Sequence, residues 1–154
     1  MNIRPVQERD FPAIITLLND FAAFQKVPGA VHNSVEQMQR EQEHFKCFVA
    51  EDEQGGIAGI ASYFIAYYTW AGKSLYLDDL YVAPAFRGQH IGSRLLNAVF
   101  DVARQQQCNR VRWQVSNWNH DAIVFYQKCG AHIEDGILNC DSGPDVIANF
   151  NLTI

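Results

Sequence analysis

Apolar residues recur along this chain with two rhythms, and the switches between them divide it into elements. Asn2 to Val6 reads as a short strand. Asp10 then stands where a helix wants its N-cap, and Pro12 lies in the opening turn, where a missing N–H costs little. Ile14, Leu17, Leu18, Phe21 and Phe24 repeat at three and four and trace the inner face of that helix, which is expected to end near Lys26, before Pro28-Gly29. Ser34 with Gln37 makes a capping box for a second helix through about His44, whose mostly polar face predicts a surface position. Phe45 to Asp52 and Ile57 to Trp70 read as strands, joined by Glu53-Gln54-Gly55-Gly56 as a hairpin turn.

Trp70-Ala71-Gly72-Lys73 turns the chain into a central strand, Leu75 to Pro84. That strand is aromatic and branched, broken only by Asp78 and Asp79, and a proline ends it. Ile91, Leu95, Val99, Val102 and Ala103 then mark a helix running to Gln107, with Arg87, Gly88 and Gly92 in the turn before it. Arg110 to Trp118 reads as a strand with Val111, Trp113 and Val115 on one face. Asn119 can cap a helix from Asp121 to Cys129, which Gly130 stops. Ala131 to Leu138 and Val146 to Ile154 are the last two predicted strands. No repeat, low-complexity tract or linker divides the chain, so residues 1–154 are expected to form a single domain of α+β layout with a mixed sheet.

Composition narrows the partners. A chain of 154 residues that is 48% hydrophobic is large enough for one proper core. Its formal net charge is -5 and no Lys/Arg cluster occurs, so nucleic acid is not expected as a partner, and a cationic small molecule is less repelled than an anionic one. No apolar run reaches about eighteen residues, and no cationic leader precedes an apolar stretch, so a cytoplasmic protein with no membrane partner is expected. Cys47, Cys108, Cys129 and Cys140 have neither CxxC spacing nor a zinc pattern with the five histidines; they read as reduced thiols, with no metal.

The strand, turn and helix from Leu75 to Gln107 make an anion site, because free backbone N–H groups and the positive end of the helix dipole meet at the turn. The turn is neither a P-loop, lacking Gly-Lys-Ser/Thr, nor a GxGxxG fingerprint. Arg87-Gly88-Gln89-His90-Ile91-Gly92-Ser93, following Tyr81-Val82-Ala83-Pro84, instead resembles the acyl-CoA signature of the GNAT N-acetyltransferases, Gln/Arg-x-x-Gly-x-Gly/Ala, with His90 in place of a glycine. Trp70-Ala71-Gly72-Lys73 with Tyr76-Leu77-Asp78-Asp79-Leu80-Tyr81-Val82 resembles the diamine (spermidine/spermine) acetyltransferase group. So does Trp118-Asn119 followed by Phe125-Tyr126-Gln127-Lys128-Cys129-Gly130-Ala131. The resemblance covers essentially the whole chain. It implies the GNAT fold, a central mixed but mostly antiparallel sheet of roughly seven strands flanked by four helices. It further implies a homodimer and acetyl transfer from acetyl-CoA directly to a primary amine of a small molecule.

The resemblance also assigns roles. Arg87, Gly88, Gln89, His90, Ile91, Gly92 and Ser93 match the pyrophosphate loop, and Leu80, Tyr81 and Val82 match the strand that pairs with the pantetheine arm, the Leu80 N–H polarising the thioester carbonyl. Asn119 matches a CoA-contacting position, and equally reads as a plain N-cap. A histidine at position 90 either crowds the loop or takes a costly positive φ where glycine is usual. Binding is expected to survive, with the imidazole turned outward or toward a phosphate.

Acetyl transfer needs a neutral amine, yet deprotonating an alkyl ammonium of pKa roughly 10.4 at pH 7 costs about 4.6 kcal/mol. A positioned carboxylate or water chain must take that proton. Asp78 and Asp79 are the candidates, since acids in an apolar strand are costly unless partnered or employed. Strand alternation lets at most one of them face the amine. By resemblance Asp78 takes the acidic position; the alternative is a pair bonded to backbone or arginine. Tyr126 matches the general acid that protonates the departing thiolate, and its alternative is a core residue with a satisfied hydroxyl. Phe24, Tyr67, Tyr68, Trp70 and Trp113 remain near the acceptor side, with Phe24, Trp70, Trp113 and Asp78 as the substrate-binding set. Residues 24–30 carry no acid, unlike the polyamine enzymes, which favours a small amine such as a lysine analogue over a long polycation. Two other readings stay open: a protein amino-group acetyltransferase, and a non-catalytic acyl-CoA-binding module, which would need neither Asp78 nor Tyr126.

Overall fold

The computed structural model describes residues 1–136 and 139–150. It divides into two compact units, Met1–Gln114 and Val115–Ile154. In the first unit the elements run β1 (Asn2–Pro5), a 3-10 turn (Glu8–Asp10), α1 (Phe11–Phe24), α2 (Val35–Arg40), β2 (Lys46–Glu51), β3 (Ile57–Tyr68) and β4 (Gly72–Val82). A second 3-10 turn (Pro84–Phe86), α3 (Ile91–Gln105) and β5 (Arg110–Arg112) complete it. The sheet order is β1-β2-β3-β4-β5. The first four strands are antiparallel neighbours, whereas β5 lies parallel to β4, as a helical crossover through α3 requires.

Helices cover both faces. Phe11, Ile14 and Leu17 of α1 and Met38 of α2 pack with Cys47, Val49, Ile60 and Tyr81 of the sheet. On the other face α3 buries Ile91, Leu95, Leu96, Val99 and Ala103, each large side chain worth about 1.5–3 kcal/mol of apolar burial. Close approach there depends on Gly59: a Cβ would fall 2.8 Å from the Tyr81 carbonyl, 3.2 Å from Val82 Cγ2 and 3.3 Å from Leu95 Cδ1.

Several sequence expectations change. Asp10 does not cap α1 with its side chain. Its carboxylate accepts the Gln7 N–H at 2.7 Å and two hydrogen bonds from Arg4 at 2.7 and 2.8 Å, while the same guanidinium donates to Glu51 of β2. Only half of the second helix's capping box forms. Ser34 Oγ accepts the Gln37 N–H at 3.2 Å, but Asn33 Oδ1 takes the Ser34 N–H, and the Gln37 side chain turns to Glu41. That helix ends at Arg40 rather than near His44, and it is not confined to the surface, because Met38 is inserted in the core. β5 stops after three residues instead of reaching Trp118. A β-bulge follows two residues beyond its last pair, Tyr76↔Arg112, and the extra twist of a bulge carries β4 away from a parallel neighbour.

The second unit holds α4 (His120–Lys128) and α5 (Pro144–Asn149). Residues 131–136 form no strand, and 146–149, expected in the last strand, are helical. Gly143 is the N-cap there and Pro144 opens the helix with a φ already suited to it. Residues 137–138 and 151–154, the other parts of those predicted strands, lie outside the described residues. Among the described residues there are therefore five strands and five α-helices, not seven and four, within the expected α+β layout and mixed sheet. No helix among them is long and apolar enough to cross a membrane.

Candidate active site

The donor side is built on the free edge of β4. Its ladder with β5 ends at Tyr76↔Arg112, while β4 runs on to Val82. The Asp79 N–H points to β3, where Ser62 Oγ accepts it at 3.1 Å, and the Ala83 N–H reaches the Ala58 carbonyl on the same strand at 2.9 Å. Alternation then turns the backbone groups of Leu80 and Val82 away from β3, to the side that β5 has left. The Val82 carbonyl accepts Arg87 Nε at 3.0 Å.

The following turn is built for a backbone that bends sharply. Gly88 has φ 76°, and a Cβ there would meet nothing within 4 Å. His90, the N-cap of α3, sits in the left-handed region at φ 58°, ψ 16° with its side chain exposed. No side chain caps α3, so its first-turn N–H groups, those of Ile91, Gly92 and Ser93, face an outside acceptor beside the positive end of the helix dipole. Gln89 is exposed in the same turn. These features fit a pyrophosphate. Arg87 lies with its guanidinium over the rings of Phe24 (4.9 Å) and Tyr81 (5.5 Å).

The acid pair departs from simple alternation. In the β3–β4 register Ala61 opposes Leu80 and Tyr63 opposes Leu77, leaving Asp78 and Asp79 together opposite the single residue Ser62. Ala61 and Tyr63 share a face, so Leu77 and Leu80 share it too, and both aspartates are held toward the other face with Ser62. That face is the one α1 covers, since Ser62 is level with Cys47 of the core cluster. The expectation that only one aspartate faces a given side fails here because a bulge inserts an extra residue. Asp78 is exposed and Asp79 half-buried. Partial desolvation by the surrounding protein raises the Asp78 carboxyl above its ordinary range although the residue is exposed. Burial, then the neighbouring Asp78 charge, lifts Asp79 to about 6, against a lowering hydrogen bond from Ser62.

The aromatic set is dispersed rather than gathered. Phe24 ends α1 beneath Arg87. Trp113 lies beyond β5 and meets Phe100 of α3 edge-on at 6.2 Å, on the opposite side of the sheet. Trp70 is fully exposed at the β3–β4 hairpin, and Tyr67 is exposed beside it. Tyr68 stacks under Arg110 at 4.2 Å. Ser62 is the residue the sequence reading missed. Its signal is a lone aliphatic hydroxyl in the otherwise apolar stretch 57–65.

In the second unit Asn119 caps α4, its Oδ1 accepting the Ala122 N–H at 3.3 Å. Tyr126 is buried in α4, its ring tilted against Phe125 at 5.3 Å. Burial, with the Cys129 thiol adding to it, pushes its hydroxyl up to about 12, so it keeps its proton through the neutral range. Among the described residues no group of three or more His, Cys, Asp and Glu could hold a metal ion.

Comparison with known proteins extends this picture. Residues 11–131 match the acetyltransferase (GNAT) family model, which runs across both units. The chain is 34% identical over 140 residues to the thialysine N-epsilon-acetyltransferase of Sus scrofa, covering 84% of this chain and 82% of that one. It is 33% identical over 139 residues to the human spermidine/spermine N(1)-acetyltransferase-like protein 1, covering 84% of this chain and 20% of that longer protein. Among solved structures, an aminoglycoside acetyltransferase from an uncultured soil metagenomic sample superposes with a TM-score of 0.75 at 23% identity, over 92% of this chain and 95% of that one. Glucosamine-6-phosphate N-acetyltransferase from Arabidopsis thaliana gives 0.74 at 23% identity, over 91% and 97%. At that identity the two structures speak for the fold. With a family model over most of its length and relatives about a third identical across 84% of it, the chain belongs to the acetyltransferase (GNAT) family and is an acetyl-CoA-dependent N-acetyltransferase.

Proposed function

We infer that the acceptor is a primary amine of a small molecule, and within that class an amino-acid-like amine such as a lysine analogue before a diamine or long polyamine. The observation that carries this reading is the paired carboxylate bulge, Asp78 and Asp79 turned to one face of β4 next to the strand's open edge. Two carboxylates attract one ammonium and can relieve it of a proton. The likeness to thialysine N-epsilon-acetyltransferases supports the amino-acid-like choice, as does the lack of acids in residues 24–30, where a polycation would need them.

Bound acetyl-CoA supplies an activated acetyl thioester. In this reading the first-turn N–H groups of Ile91, Gly92 and Ser93, with Arg87, Gly88, Gln89 and His90, hold the pyrophosphate. The backbone groups of Leu80 and Val82, on either side of Tyr81, take the pantetheine arm, with the Leu80 N–H as the donor to the thioester carbonyl. Asn119 adds a contact while capping α4. Asp78 meets the ammonium, and Tyr126, still protonated at pH 8, gives its proton to the thiolate; a hydroxyl held near 12 suits a thiol of reference pKa about 8.5. Phe24 and Trp70 are the acceptor-side aromatics this reading keeps, and Trp113 is assigned to packing on α3. One domain, a cytoplasmic homodimer, and the absence of metal, nucleic acid and membrane from the function complete the reading, and these rest on composition and family resemblance.

The test is thiol release from acetyl-CoA across a panel of small monoamines, lysine analogues, diamines and spermidine. Lysine analogues are expected to turn over best, and Tyr126→Phe to lower kcat about a hundredfold while acetyl-CoA still binds. Turnover of spermidine but not of small monoamines would overturn the acceptor assignment. Release that no amine makes dependent on Tyr126 would overturn the acid's.

A further inference from the structure

Ser62 sits in β3 with 6% of its surface exposed, one of few buried polar side chains in a sheet otherwise filled with apolar ones. It stands alone opposite the two bulged residues and holds one of them by its backbone. Its Oγ accepts the Asp79 N–H at 3.1 Å, and the nearby hydroxyl lowers the Asp79 carboxyl. An N–H at a bulge has no ladder carbonyl to pair with, so the serine oxygen stands in for one. We propose that Ser62 is a positioning residue for acetyl transfer: it locks the Asp78–Asp79 bulge and makes Asp79 the carboxylate that receives the amine's proton, leaving Asp78 to attract the ammonium. The proposal rests on the primary-amine reading above and names the partner of the site's acid.

The surroundings of Asp79 explain why a hydroxyl is needed there. Among the described residues of the first unit, Asp78 and Tyr76 act on it from β4, Cys47 from β2 and Ser62 from β3, while α1 presents Phe21 against Tyr81 of this face. Cys47 is raised to about 12 by burial and stays neutral, so Asp78 is the one charge pressing on Asp79. Burial and that charge make Asp79 a stronger base than a free aspartate, narrowing its gap to an ammonium by about a hundredfold. Without Ser62 the same forces would carry the carboxyl further up and leave a larger share of it protonated at neutral pH. Ser62 supplies the opposing hydrogen bond. In the step itself the proton leaves the ammonium nitrogen for an Asp79 carboxylate oxygen, the freed lone pair is left on nitrogen for attack, and no other bond changes.

The experiment follows Asp79 by carboxyl-carbon NMR titration of the full chain without substrate, alongside the pH profile of kcat/KM. In the unaltered protein the carboxyl titrates near 6, and activity falls as pH drops through that value, since only the ionised form accepts a proton. Ser62→Ala is expected to move both upward by about one unit, which lowers kcat/KM about fivefold at pH 6 and hardly at all at pH 8. Ser62→Thr, which keeps the hydroxyl, is expected to return both to near 6. An unmoved Asp79 titration in Ser62→Ala, or a loss equal at every pH, overturns the proposal. Should the alanine variant fail to fold, the aspartates decide with Ser62 intact. Asp79→Asn abolishing the acidic limb supports the assignment, and a limb that survives Asp79→Asn but disappears in Asp78→Asn overturns it. If the unaltered protein acetylates no amine, the acceptor reading falls while the NMR titration still tests the hold of Ser62 on Asp79.

Discussion

His90 holds a left-handed backbone, φ 58° and ψ 16°, that costs a residue with a Cβ about 1 kcal/mol. Glycine would remove that strain but would add about as much unfolded-chain entropy. His90→Gly is therefore expected to change stability by less than about 0.5 kcal/mol in urea denaturation. Because the imidazole is exposed, the variant should bind acetyl-CoA within about threefold of the original by calorimetric titration. Binding that becomes far tighter would mean that the side chain crowds the loop. The positive φ was one of two outcomes legible in the sequence, because the glycine it replaces belongs to a local pattern of turn and helix start. The two aspartates were not, since alternation assumes an unbroken ladder and a bulge is a property of two strands. Ser62 and Asp79 are seventeen positions apart, and nothing local to either announces the bond between them.

At the level of elements, the long periodic pieces read correctly and the junctions did not. α1, α3 and β2 to β4 carry apolar repeats strong enough to fix their type, whereas β5 ends where a bulge in its neighbour turns β4 away. Asp10 looked like a cap because its position suited one, yet Arg4 of β1, six positions before it, claims it. Arg4, 12% exposed, joins Asp10 (4%) to Glu51 and so ties β1, the start of α1 and β2. Arg4→Ala leaves a buried carboxylate with the Gln7 N–H and the outlying Arg9 guanidinium at 4.0 Å, and is expected to cost about 3 kcal/mol at pH 7 in urea denaturation. The arginine bonds hold both Asp10 and Glu51 below their ordinary pKa values. Their contribution is thus present above the unfolded carboxylate range of about 4 and is lost as pH falls through the depressed folded values. The gap between Arg4→Ala and the unaltered protein should accordingly close in acid. A gap that stays constant down to pH 2 would assign the loss to the arginine's packing instead.

For the molecule as a whole, the α+β order was legible because helix and strand periods alternate clearly up to Trp118, and the family signature lies within that part. The end was not: residues 146–149 are as apolar as a strand, but Gly143-Pro144 starts a helix there. The family model spans residues 11–131 and so crosses the division at residue 114, and the residues proposed for the donor and the thiolate come from both sides of it. If the chain works as one domain, acetyl-CoA should stabilise all of it at once. At a donor concentration of a hundred times Kd, mass action adds about 2.7 kcal/mol. For a chain of 154 residues that corresponds to a rise in Tm of roughly 5–10 °C. Differential scanning calorimetry should show a single transition that moves by this amount. Two transitions of which the donor shifts only one would mean that the units fold independently and that one of them holds the cofactor alone, in which case Asn119 and Tyr126 lose their proposed share in binding and catalysis.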